Sequence, residues 1–144
     1  VQVLPVMVAE MDAGWRPRQA QSINVLVGRK LQYLRLGHAI VLTFVGDAQV
    51  VIESVARLYG PHGRADVEPG EYPSDALAAL LGDVVSSART RDTGELELGF
   101  RSGARLLVEV DAEFESWAVA GPGGVLVVCL AGGELAVWGD TPRS

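Results

Sequence analysis

A chain of 144 residues that is 49% hydrophobic and only 21% charged has the length of one ordinary domain and a composition that excludes a disordered chain. With 12 Lys and Arg against 18 Asp and Glu its formal net charge is -6, so its field repels phosphate backbones and anionic membrane surfaces, and neither nucleic acid nor membrane is an expected partner. One cysteine excludes an internal disulfide and suits a reducing, cytoplasmic setting.

Residues 1–22 show no sustained period, and Pro5, Gly14 and Pro17 interrupt any helix; they read as an N-terminal arm with one short strand at 3–8. Trp15, beside Arg16 and Arg18, reads as a cover for the edge of the core. VQVLPVMVAE lacks a basic leader and is broken by Pro5, so no targeting segment is expected.

Residues 23–55 alternate as half-buried strands do: Val25, Val27, Leu31 and Tyr33, then Ile40, Leu42 and Phe44, then Val50 and Ile52. Gly46 and Asp47 supply a hairpin turn, so the pattern predicts a strand followed by a hairpin. Residues 57–75 carry Gly60, Pro61, Gly63, Pro69, Gly70 and Pro73 and read as a loop. SDALAALLG then predicts one short helix near 75–81, with Ser74 or Asp75 as its N-cap and Gly82 as its stop.

The stretch 78–110 repeats 23–55 in pattern. Gly82 matches Gly28, Leu98 matches Leu42, Phe100 matches Phe44 and Glu109 matches Glu53, with a gap of about two residues in the intervening turn. WAVAGPGGVLVVCLAGGELAVW then gives a meander over 114–138, its strands separated by Pro122, Gly123, Gly124, Gly132 and Gly133, and residues 139–144 form a tail. The expected fold is mainly β, within a β-rich α+β class: a single domain over 23–138. Its two pseudo-repeated antiparallel units form a sandwich or incomplete barrel.

The run LLGDVVSSA, GELELGFRSGARLLV, DAEFESWAVAGPGG and LVVCLAGGELAVW resembles a family of small, uncharacterised bacterial proteins common in actinomycetes and classed as a domain of unknown function. The resemblance covers about 25–138. Its most specific parts are FESW at 114–117 and the later GGELAVW, and the chain departs from the pattern at Ala131, where the family has proline. It implies a bacterial, cytoplasmic, single-domain protein and carries no activity and no catalytic residue.

Chemistry-bearing residues are few. Glu109, Asp111, Glu113 and Glu115 alternate with Val108, Val110, Ala112 and Phe114; an extended backbone would set the four carboxylates on one face as an acidic stripe, while a turn over 111–115 would break it. Trp117 shares their parity, so a regular strand would add it to that face and a bend would send its ring into the core. His38 and His62 lie in separate turns and make no ligand pair, Cys129 sits in an apolar run, and GPGG and AGG are turns without a following helix. No catalytic residue, metal site or cofactor is assigned.

A non-enzymatic cytoplasmic module therefore leads, with Glu109, Asp111, Glu113, Glu115 and Trp117 as an acidic docking face for a basic protein partner. An immunity or antitoxin-type protein is its concrete form. Two alternatives are a β-barrel holding a small apolar ligand and a carboxylate hydrolase using Asp111 and Glu113. A homodimer through a strand edge is compatible with all three.

Overall fold

The computed structural model describes residues 22–61, 63–70 and 75–139. The expected strand at 3–8, the Trp15 cover, His62, the Ser74 cap and the tail beyond Gly139 lie outside these residues.

Eleven strands are described: β1 (Leu31–Leu36), β2 (Ile40–Phe44), β3 (Ala48–Ile52), β4 (Ala56–Gly60), β5 (Gly63–Val67), β6 (Val85–Thr90), β7 (Leu96–Phe100), β8 (Arg105–Val108), β9 (Trp117–Ala120), β10 (Leu126–Cys129) and β11 (Leu135–Trp138). They form two antiparallel sheets, ordered β1-β2-β3-β9-β10-β11 and β5-β4-β8-β7-β6. One short helix, α1 (Asp75–Ala78), precedes β6. The mainly β sandwich with one short helix expected from the pattern is what the chain forms.

The repeat is built into the backbone. β1 pairs with β2 and β6 with β7 in the same register, each with a bulge at the same place, between Leu31 and Tyr33 and between Val85 and Ser87. The third strands add alike, Leu42 facing Val50 and Leu98 facing Leu106. The two-residue gap falls in the turns, 37–39 in the first copy and 91–95 in the second.

A pseudo-two-fold axis passes where the copies meet. Gly28 N–H donates to Val85 O at 2.8 Å and Gly82 N–H to Leu31 O at 2.9 Å, while Leu31 and Val85 donate to Asp83 O and Arg29 O. Lys30 and Val84, themselves equivalent, form an isolated bridge on the axis. Gly28 and Gly82 both have a φ of 88°, which glycine adopts without steric cost. The starts of β1 and β6 therefore join the two sheets on one side of the sandwich.

After the third strand of each copy the chain changes sheets. β3 leads into β4, which pairs with β8; β8 leads into β9, which pairs with β3. Each sheet is thus finished by the other copy's hairpin, β4–β5 or β9–β10. The first crossing occupies 53–55 and the second 109–116. Both make the same bonds: Glu53 N–H donates to Ser116 O at 2.8 Å and Glu109 N–H to Val55 O at 3.0 Å.

Leu42, Phe44, Val50, Ile52, Leu96, Leu98, Leu106, Trp117, Val119, Val127 and Cys129 fill one core between the sheets, in keeping with period-two burial. Ile23 and Leu26, on a helical turn, cap the core, which corrects the expectation of a strand at Val25 and Val27: Arg29 holds that turn by donating to Val25 O.

Residues 57–75 are not a plain loop either. Their glycines and prolines sit at the ends of a hairpin, Gly60, Pro61 and Gly63 at its turn and Pro69 and Gly70 beyond it, which leaves β4 and β5 free to pair from Ala56 and Val67 to Gly60 and Gly63. The C-terminal meander has its expected three strands, with turns at 122–124 and 131–133.

Candidate functional site

The two crossings come together at one end of the sandwich. Between them lies an open groove of about 400 Å³, lined by His38 from the β1–β2 turn, Glu53 and Ser54 from the first crossing, Glu68 after β5, and Glu109 and Asp111 from the second crossing. Glu53 and Glu109 face it as symmetry equivalents, so the repeat itself places two carboxylates there. Arg57 makes an ion pair with Glu109. Ser54 Oγ donates to Glu109 O at 2.5 Å, tying one crossing to the other.

The acidic run does not continue β8 as a strand. The Asp111 carboxylate accepts from Glu113 N–H at 2.8 Å and Phe114 N–H at 3.1 Å, which folds 111–114 into a tight turn. Asp111 N–H in turn donates to the buried Ser116 Oγ at 2.7 Å. Glu109 and Asp111 consequently line the groove, while Glu113 and Glu115 stand on the exposed loop. The run is a bent loop over a groove and not a straight stripe.

Trp117, for which a regular strand gave the docking face and a bend gave the core, is 1% exposed. The bend at 111–116 sends its ring into the core, where Nε1 donates to Gly94 O at 3.0 Å and so seats the acidic loop on the β6–β7 turn. That turn lies hard against the β10–β11 turn: a Cβ on Gly94 would run into the Gly133 carbonyl, so only glycine allows the approach. The Cys129 thiol is buried beside Trp117, and its pKa is pushed up by burial, against a hydrogen bond with Ser116. It is an inert core group.

Phe114 is what the alternating pattern hid. Counted there among inward apolar positions, it stands at the loop tip, 68% exposed between Glu113 and Glu115. The signal was in the sequence as Asp111: an aspartate whose carboxylate can accept from backbone amides two and three residues on is an Asx-turn former, and a turn there reverses the parity of the residues beyond it.

A second charged cluster lies on the outer face of the sheet containing β7. Glu97, 7% exposed, is surrounded by Arg89, Arg91 and Arg105 at 3.0 to 3.2 Å. Burial raises its pKa, but hydrogen bonds and charge from Arg89 and Arg91 outweigh this and hold the carboxyl below the usual 4.5. Arg105 also lies 5.3 Å from the centre of the Tyr59 ring. The cluster keeps an excess of positive charge and braces four strands.

The match that decides family membership covers residues 22–139, the described sandwich in full. The chain belongs to DUF6188, a family of unknown function. No curated protein matches it, and no solved structure does. Among the described residues no group of three or more His, Cys, Asp and Glu is arranged to hold a metal ion, and no helix is long and apolar enough to cross a membrane.

Proposed function

We propose that this chain is a non-enzymatic cytoplasmic binding module whose crossing loop and groove hold a basic protein partner, in the manner of an immunity or antitoxin-type protein. The observation that carries the reading is Phe114, an exposed aromatic ring between Glu113 and Glu115, standing by a groove lined with Glu53, Glu68, Glu109 and Asp111. An aromatic anchor ringed by charge is the common make-up of an interface hot spot: the ring supplies buried area and the carboxylates steer a cationic surface into register. Trp117 takes part from beneath, by holding the loop in place.

The test is capture from the native host with the tagged chain at low and high salt, beside two variants. One carries Asp111→Asn, Glu113→Gln and Glu115→Gln; the other carries Phe114→Ala. A basic partner retained by the parent, weakened at least tenfold by either variant and released by salt supports the reading. Capture that ignores both variants and the salt sinks it.

A further inference from the structure

The pseudo-symmetry leaves one strand over. β1 to β3 correspond to β6 to β8, and the β4–β5 hairpin corresponds to β9–β10, but β11 has no equivalent. β1 and β6 join only through residues 28–31 and 82–85, so among the described residues all four outer strands, β1, β6, β5 and β11, keep an open edge; β1 and β6 are each guarded by a bulge and an arginine, Arg35 and Arg89. β5 is guarded by an exposed ion pair, Arg64 to Asp66 at 3.0 Å. β11, of sequence LAVW, has no charge, no proline and no bulge, and among the described residues nothing pairs with its far side. An unguarded edge is a template for another strand.

The ladder tells which groups are on offer. Leu130 N–H donates to Glu134 O at 2.7 Å, and antiparallel pairs alternate between bonded and non-bonded, so Ala136 and Trp138 bond to β10. Leu135 and Val137 turn their N–H and C=O groups to the open edge. On the outer face Trp138 is 46% exposed, and Ala136, beside it, is small.

We propose that β11 pairs with β11 of a second copy of this chain, antiparallel about a two-fold axis through Val137. Opposed residues in such a pair share a face, so the axis must pass through a residue and not between two. Centred on Val137, each Trp138 ring lies over the partner's Ala136, and the two Val137 residues exchange hydrogen bonds. Centred on Ala136, Trp138 would instead meet the partner's Glu134. A second copy also suits the charge: a chain of net charge -6 repels itself elsewhere, and β11 carries none. A strand of four residues and one ring cover far less than the roughly 1,200 Å² of a standard interface, so the dimer is a weak, concentration-dependent one.

Sedimentation of the full chain from about 1 µM to about 1 mM, the span of weak complexes, tests it. A monomer–dimer equilibrium is expected, weakened at least tenfold by Ala136→Lys, whose side chain stands on the outer face of the sheet, away from the core; circular dichroism checks that this variant folds. Register is read by mild oxidation. A chain with Ala136→Cys mixed with one carrying Trp138→Cys forms a mixed disulfide, because opposed non-bonded residues lie about 4.5 Å apart at Cα, and neither chain alone does so comparably. The proposal is overturned by a monomer throughout the range, by a dimer indifferent to Ala136→Lys, or by cross-linking equal in all mixtures. A monomer whose Leu135 and Val137 amides resist exchange also overturns it, in favour of another segment of the same chain on that edge.

Discussion

The two crossings start from one design and end differently. Both carry the chain from one sheet to the other, and both make the same pair of backbone bonds across the axis. Yet 53–55 passes directly, with Ala56 opening the next strand, whereas 109–116 loops out and opens the next strand with Trp117. The same contrast marks the outer faces, where Val41 of β2 is matched by Glu97 of β7. A duplicated framework keeps its hydrogen bonds and leaves side chains and loop length free to diverge, and the divergent crossing is the one that carries the exposed Phe114.

The comparison breaks most severely at Trp117. Trp117→Ala gives the second crossing the residue of the first, but in a core shaped around an indole, and should cost about 3 to 5 kcal/mol in urea unfolding. Loss of the Gly94 contact should also speed amide exchange in the 91–95 turn. Glu97→Gln comes next, at about 1 to 3 kcal/mol near neutral pH, because it leaves Arg89, Arg91 and Arg105 without their shared anion. Since the folded carboxyl titrates below 4.5, its contribution is fully present above that pH and is lost as pH falls through the folded value. Parent and variant should therefore converge in stability at strongly acid pH.

The two serines probe the crossings themselves. Ser116→Ala removes the buried acceptor of Asp111 N–H, and Ser54→Ala the donor to Glu109 O; each should cost about 1 kcal/mol, Ser116 more because it is fully buried. The smallest effect belongs to Asp111→Ala. Its bonds to Glu113 and Phe114 are solvent-exposed, so stability should fall by only about 0.5 kcal/mol, while exchange of those two amides rises measurably.

The repeat was legible because it rests on glycines with positive φ and on large apolar residues, Gly28 with Gly82 and Phe44 with Phe100, whose roles leave little choice of residue. The exchange of β4 and β9 was not legible. ARLYG and WAVA each alternate, and alternation says which face is buried but not which sheet is joined. VEVDAEFESW misled for a related reason: its alternation runs on through residues that the Asp111 carboxylate folds into a turn. The β4–β5 hairpin was hidden by its prolines and glycines, which lie at its ends. Glu97 gave no signal in the sequence, since the three arginines that enclose it come from neighbouring strands and from the turn.

The exchange of hairpins has a consequence for how the molecule is made. When the chain has left the ribosome only as far as residue 70, β3 lacks the neighbour that β9 will supply, and the β4–β5 hairpin has no β8 to join. Neither sheet can be completed by the leading half, so stable structure has to wait until the trailing half has been synthesised. Until then the apolar inner faces of β2 and β3 stand open to solvent and to other nascent chains.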